Sequence, residues 1–554
     1  MNAARAERKG RSEAGPQPAD RSLLEFVRAL AGREFTAASP ALRKHLRMLL
    51  AAPGVCQDDL ASVSLSAVRH DPRLKKLFAA GASASQGALK RKLLGPDAAK
   101  ALDDPLLHTV LRNSIVMDLI WDPLLAGVRR SYLELALEAP QQISSPGHLR
   151  VLVSLACQCS NNEYVYFEEA AEKELLATLE KGTETSLRGD PPTWPPGTLA
   201  QLCCYAAYRS LGTLNCSASL AAYDWSSYEP ALCDLIRAQI LEPMEEMRLC
   251  KQIPSLGMSE SQVTELVRRR YEESPYPRWL TLAIPERKSL AELLRANVSP
   301  TLQVAEPEGR LEILVAGCGT GRDAIHDAAE FRDAKVTAID LSRTSLGYAA
   351  RKAAEYGVSN LQFWHGDILA LGPLNRRFHM VDSRGVLHHL EDTEAGLRVL
   401  AHLLHPGGFL RLALYSKIAR RRFTAARKLV RKLNLTDAPD DVRRCRKGIL
   451  AAPAGSKLAE VRDYSDFYML SELRDLLFHP YQREFSLDEI AKMLKAQGLQ
   501  FLGFERLSGK TREQFRRSFP QPGAMADLAL WSRFERRHPR TFSSCYIFWA
   551  RKPA

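Results

Sequence analysis

No run of about eighteen uncharged apolar residues occurs in the 554-residue chain, so a membrane-spanning helix is not expected. The first twenty residues lack an apolar core and are rich in Ala, Arg, Glu, Gly and Pro, which excludes a secretory signal and reads as a disordered tail. Cysteine pairs at C-x-x-C spacing are missing as well. The eleven cysteines are scattered, and Cys157/Cys159 and Cys203/Cys204 stand too close together for an ordinary zinc site. Buried free thiols in a reducing cytoplasm, with no metal, are the expectation. A clean internal period of about 33 to 47 residues, the mark of helical solenoids, is absent too.

What is present describes a globular protein, with 45% hydrophobic and 25% charged residues. The length calls for two or three domains. The net charge of +13 is unevenly spread. Twelve lysines and arginines fall between Lys417 and Lys447, opposed only by Asp437, Asp440 and Asp441. Such a run is a solvated helix face, or a rim that attracts phosphate or carboxylate groups. RNA or a membrane surface would call for interleaved aromatics, and Phe423 stands alone.

The chain turns on Glu312-Ile313-Leu314-Val315-Ala316-Gly317-Cys318-Gly319-Thr320-Gly321. The apolar run predicts a short buried strand that breaks through three alternate glycines into a helix over 322–331. Such a turn brings backbone amides close to a ligand, and the helix N-terminus behind it favours electron-rich groups. Lys335 to Ile339 predicts a second strand that ends in Asp340, nineteen residues after Gly321, where a carboxylate can hold both ribose hydroxyls of a nucleoside. Leu361 to His365 is a third strand and ends in Gly366-Asp367-Ile368. Phe378 to Ser383 is a fourth, followed by Gly385-Val386-Leu387-His388-His389-Leu390, and Phe409 to Tyr415 follows Pro406-Gly407-Gly408 as a fifth.

The pieces AGCGTG, strand-end Asp340, GD at 366–367, GVLHHL and HPGG together resemble the class I S-adenosylmethionine-dependent methyltransferases. The resemblance implies an α/β Rossmann-like seven-stranded sheet over residues 301–554, closed by an antiparallel pair at Leu499 to Glu505 and Ser544 to Ala550. It implies S-adenosylmethionine as cofactor. Gly317, Cys318, Gly319 and Gly321 would hold its methionine end, Asp340 and Leu341 its ribose, Asp367 and Ile368 its adenine, with Ser383 beside them. Many relatives carry an acid two residues before the first glycine; Val315 stands here, and Asp323 is the nearby acid that would compensate.

Residues 21–255 predict an all-α domain with breaks at Pro53-Gly54, Gly95-Pro96, Ser145-Pro146-Gly147 and Pro191 to Gly197. Within it, Asn161, Asn162, Glu163 and Tyr164 form a polar helix end or a contact with the catalytic half. Residues 256–300 predict a linker or lid: Ser259 caps a helix, and Tyr276-Pro277-Arg278-Trp279 forms a stiff extended segment that aims Tyr271 and Arg278 toward the site. This segment, Asn162 to Val165, Ser471 to Pro480 and Gly498 to Glu505 resemble bacterial proteins that join a helical, often tetratricopeptide-repeat, region to a methyltransferase domain.

Methyl transfer needs alignment of acceptor and methyl carbon, and a base only where the acceptor carries a proton. His388 and His389 are the candidate bases, and Arg384 pairs either an acceptor carboxylate or an internal acid such as Asp382 or Asp392. No Asn-Pro-Pro-Tyr, Asp-Pro-Pro-Tyr or Pro-Cys follows the fourth strand, which disfavours nucleic acid bases as acceptors. Paired acids for an amine are absent there too, which argues against aminopropyl transfer. The expected function is methyl transfer to a protein docked by the helical domain or to a small anionic molecule. The alternative is a non-catalytic scaffold that binds the cofactor.

Overall fold

The computed structural model describes residues 21–554 apart from 36, 38, 83–85, 188–192, 259–260, 305–306, 308 and 373, so the expected N-terminal tail and the Ser259 cap lie outside the described residues. Among the described residues no helix is long and apolar enough to cross a membrane. Helices fill the chain from Arg21 to Cys250 around one apolar core that runs from Val27 to Ile240, with Trp121 and Tyr132 almost fully enclosed. Their starts follow local chemistry. Ser39, Asp104 and Ser145 accept from first-turn amides, each with a proline at the opening position. Among the described residues the α-helices of this half run from 6 residues at Ser217–Ala222 to 18 at Trp121–Glu138.

The C-terminal half is built on strands β1 (Ser255–Gly257), β2 (Leu311–Ala316), β3 (Ala334–Asp340), β4 (Leu361–Gly366), β5 (Phe378–Arg384), β6 (Leu404–Tyr415), β7 (Gln500–Phe504) and β8 (Cys545–Arg551). Their order in the sheet is β1-β4-β3-β2-β5-β6-β8-β7. Every pair is parallel except β6–β8 and β7–β8, which are antiparallel. The seven-stranded expectation gains one strand. β1 pairs beside β4 at the edge, and its three residues are too short to show a period. The helix after it starts at Gln262, with Ser261 accepting from Val263 and Thr264.

The parallel strands read as continuous apolar runs because helices cover both faces. Ile313 and Val315 of β2 face a core with Leu290, Leu294, Ala324 and Leu346, while Leu314 and Ala316 face Leu397, Leu400, Ile490 and Trp531. Residues 417–480 are inserted after β6 and pack Val442, Ile449, Phe467 and Leu473 into a separate core that includes Ile115 from the helical half.

Part of this insertion's positive charge is paired within the fold, while Lys417, Arg421, Lys428, Arg431 and Lys432 stay exposed. Arg420 lies over the Tyr415 ring at 3.6 Å and pairs with Glu484, which also takes Arg427 at 2.8 Å. Arg446 reaches back to Asp122 through two bonds of 2.5 and 3.2 Å, both partners buried, and Lys447 pairs with Glu169. Arg443 donates to the Tyr164 carbonyl, the Leu470 amide to the Asn162 carbonyl and the Ser471 amide to the Glu163 carboxylate. The polar end at 161–164 therefore docks onto the insertion, with Glu163 and Tyr164 in the left-handed region at φ 59° and 58°.

Candidate active site

The glycine turn leaves β2 with the amides of Gly317 and Cys318 donating to the Ile339 carbonyl at 2.8 and 3.0 Å. Asp340, at the end of β3, accepts from the Gly319 amide at 2.7 Å and the Ser342 amide at 2.9 Å. Each carboxylate oxygen keeps a second acceptor position. Burial pushes the Asp340 carboxyl up to about 6, although those two amides favour its charged form. Gly319 sits at φ 51°, and a Cβ there would overlap the carbonyl oxygen of Tyr276. That close approach docks the extended segment on the turn. The Thr320 amide donates to the Tyr276 carbonyl at 3.1 Å, its hydroxyl donates to the Pro277 carbonyl, and Trp279 Nε1 donates to the Thr320 carbonyl at 3.3 Å.

A cavity of about 710 Å³ opens above these strand ends. Gly317, Cys318, Gly319, Asp340, Leu341, Asp367 and Ile368 line it, as do Tyr271, Arg278, Arg384 and His389. Three expected site residues are not part of its wall. Gly321 (φ 81°) opens the helix Arg322–Glu330, and a Cβ there would come within 2.6 Å of the Ala349 side chain. Ser383 is fully buried and its hydroxyl donates to the Ala316 carbonyl at 2.9 Å, tying β5 to β2. His388 is fully buried and stacks on the Tyr415 ring with centroids 3.6 Å apart, so it is a core side chain.

His389 is different from its neighbour because the short helical turn Leu387–His389 directs it the other way. Its Nδ1 donates to the Tyr481 carbonyl at 3.0 Å, which leaves the lone pair on Nε2. Burial lowers its proton affinity, so the ring is neutral near pH 7. His389, Asp475 and His479 bring three possible ligand atoms together. Their hydrogen bonds do not suit a metal: His479 Nδ1 accepts from the Tyr481 amide at 3.2 Å, which puts its hydrogen on Nε2, and Asp475 already accepts from the Tyr271 hydroxyl at 2.9 Å.

Arg384 bonds Asp382 at 2.9 Å and Asp323 at 3.1 Å, so internal acids hold it, and Asp323 joins the wall near the glycine turn. Asp367 accepts from the Leu369 amide at 2.9 Å and from the Thr264 hydroxyl at 3.4 Å, linking the end of β4 to the lid helix.

Other wall residues carry no local sequence signal. Cys56, Asp58, Asp59, Ile115 and Met117 come from the helical half, and Asp466, Met469 and Glu472 from the insertion. Asp58 accepts from the Ile115 amide at 2.8 Å, and the Gln57 amide donates to the Thr281 hydroxyl at 3.2 Å, so the helical half meets the lid at the cavity's mouth. Burial raises the Asp58 carboxyl to about 6.

These features fit a nucleoside cofactor: a carboxylate with spare acceptor positions stands beside an open glycine turn, on one wall of a cavity large enough for a ligand. Residues 313–408 match the family described as "Methyltransferase domain". An uncharacterized protein of Synechococcus sp. is 32% identical over 239 residues, covering 41% of this chain and 56% of that one. An uncharacterized methyltransferase of Mycobacterium tuberculosis is 33% identical over 114 residues, covering 21% of this chain and 55% of that one. The chain thus spans little more than half the length of these curated relatives. Among solved structures, PKMT2 from Rickettsia typhi in complex with AdoHcy is similar over 43% of this chain and 48% of that one, at 15% identity and a TM-score of 0.34. Residues 313–408 are thus a methyltransferase domain, carried on the parallel part of the sheet.

Proposed function

We propose that the 710 Å³ cavity binds S-adenosylmethionine along the ends of β2 to β4 and takes a methyl acceptor on its β5, β6 and β8 side. The observation that carries this reading is Asp340 hydrogen-bonded to the Gly319 amide on the cavity wall. When bound, the cofactor supplies an electrophilic methyl group. Asp340 accepts the ribose hydroxyls, Asp367 the adenine edge, and Gly317 to Gly319 leave room for the methionine end. Tyr271 and Arg278 form the lid, and the helical half closes the acceptor side with Ile115 and Met117, excluding water. His389 Nε2 takes the proton of an acceptor that must lose one.

Calorimetric titration with S-adenosylmethionine and S-adenosylhomocysteine tests this. Micromolar binding is expected, weakened on the order of 100-fold, or about 2.7 kcal/mol, in Asp340→Ala. Equal binding by that variant removes the ribose assignment, and no binding by the intact protein leaves a scaffold role. The site also predicts a pH profile. The charged carboxylate is the form that receives two hydroxyls, and its pKa without ligand is about 6. Affinity is therefore flat above pH 6 and falls about tenfold per pH unit below it. Asp340→Asn flattens the profile.

A further inference from the structure

The acceptor side of the cavity has a distinct charge. Asp340 ends β3, while Ala413 of β6 and Ile547 of β8 line the same cavity, and β6 lies three strands away, or about 14 Å at normal spacing. Between β6 and the helical half, the wall is closed by the turn Ser465–Tyr468 and the helix Leu470–Phe478, which supply Asp466 and Glu472.

Glu472 is only 8% exposed, lines the cavity, and among the described residues has no hydrogen bond or ion pair. A buried carboxylate without a partner is costly, and one whose oxygens face a cavity marks a place where a ligand supplies the missing donor. The charges nearest Glu472 are Asp466, Glu163 and Asp475, with exposed Arg322 as a weaker cation. Burial together with those like charges pushes its carboxyl well above the usual range. Asp466 accepts from the neighbouring Ser465 hydroxyl at 3.1 Å and from its own backbone amide. Of the four arginines on the wall, Arg384 is committed to Asp382 and Asp323, Arg278 lies over the Tyr348 ring at 5.7 Å, Arg506 stands beside Glu505 at 3.9 Å, and Arg322 is shared among Asp58, Asp59 and Glu472. Tyr271 and Tyr276, with ring centroids 5.9 Å apart, complete the wall and offer aromatic faces that attract cations.

We propose that the acceptor is an amine, which docks as its ammonium ion on the Glu472 and Asp466 carboxylates beside the Tyr271 and Tyr276 rings, gives one proton to His389 Nε2, and as the neutral amine forms the N–C bond while the S–C bond breaks and S-adenosylhomocysteine leaves. An anionic acceptor would gain no opposite charge from these two carboxyl groups. This inference rests on the cofactor reading above, because it assigns the remaining end of that cavity. The free amine of a small molecule and a lysine side chain share this chemistry.

The test uses the full-length protein saturated with S-adenosylhomocysteine, titrated with n-butylamine, with acetyl-Gly-Lys-Gly-amide and with butyrate, and followed by ligand-observed NMR. Binding of at least one amine in the millimolar range is expected, with none by butyrate. Glu472→Gln, which keeps the shape, is expected to weaken amine binding at least tenfold while S-adenosylhomocysteine affinity and Tm stay within error. Asp466→Asn gives an independent second loss. Tighter binding of the peptide assigns the acceptor to a protein, and tighter binding of butylamine to a small molecule. Butyrate binding as well as the amines, no amine binding up to 10 mM, or undiminished amine binding by both variants overturns the proposal. Failure of S-adenosylhomocysteine to bind overturns the cofactor reading, and with it the amine site that rests on it. Cofactor binding without amine binding overturns the amine site alone.

Discussion

Gly319→Ala will abolish cofactor binding without removing any functional side chain. At φ 51° an alanine pays about 1–2 kcal/mol for the left-handed conformation alone. The larger effect is steric. The new methyl group would occupy the position of the Tyr276 carbonyl oxygen, and that oxygen belongs to backbone, which has no rotamer to retreat into. Either the lid segment lifts, breaking the 3.1 Å bond from the Thr320 amide, or the turn moves and breaks the 2.7 Å bond from the Gly319 amide to Asp340. Both outcomes damage the wall that receives the nucleoside. Affinity for S-adenosylhomocysteine should fall on the order of 100-fold or more, equivalent to about 2.7 kcal/mol. Calorimetry checks this directly. An alanine variant that binds within threefold of the parent would show that the lid and turn are not coupled through Gly319.

Arg446→Met will cost a large part of the stability that joins the helical half to the insertion. Arg446 and Asp122 are separated by 324 residues, and their side chains are only 2% and 4% exposed. The pair is bidentate, which suits guanidinium and carboxylate geometry. Removing the arginine leaves a buried carboxylate without its partner, which costs about 3–5 kcal/mol. Urea denaturation should show the loss as a lower midpoint, with the helical half and the insertion separating first because this pair joins them. Replacing both residues, in Asp122→Leu/Arg446→Met, removes the desolvated charges together and should restore most of the midpoint. A single variant as stable as the parent would mean that water reaches Asp122.

Much of the catalytic half was legible because its determinants are local. A glycine turn needs only its own residues, since Gly317 and Gly319 adopt left-handed backbone without steric cost, and strand-end acids follow their strands. The parallel strands announce themselves as apolar runs because both faces are covered. Neighbouring residues are harder to separate. His388 and His389 are adjacent and chemically identical, yet one stacks on Tyr415 in the core and the other faces the cavity. Sequence cannot distinguish them, because the orientation depends on a turn that packs against β6 and on Tyr481, 92 residues away. Charge runs mislead for a similar reason. In the basic stretch after Lys417, Arg420, Arg427, Arg446 and Lys447 have partners outside the run, while Lys417, Arg421, Lys428, Arg431 and Lys432 stay exposed. Glu484 follows it in sequence, but Asp122 and Glu169 are contributed by the helical half.

The sequence by itself determined the cofactor class and put Gly317, Gly319, Asp340 and Asp367 at the ends of their strands, because spacing along one strand–turn–helix unit sets which groups meet. Tertiary structure decided the acceptor side. Asp58 comes from the helical half, Tyr276 from the lid segment, and Asp466 and Glu472 from the insertion, and only the packing of these parts over β6 and β8 brings them to one cavity. Long-range packing, not local pattern, sets the charge of that wall.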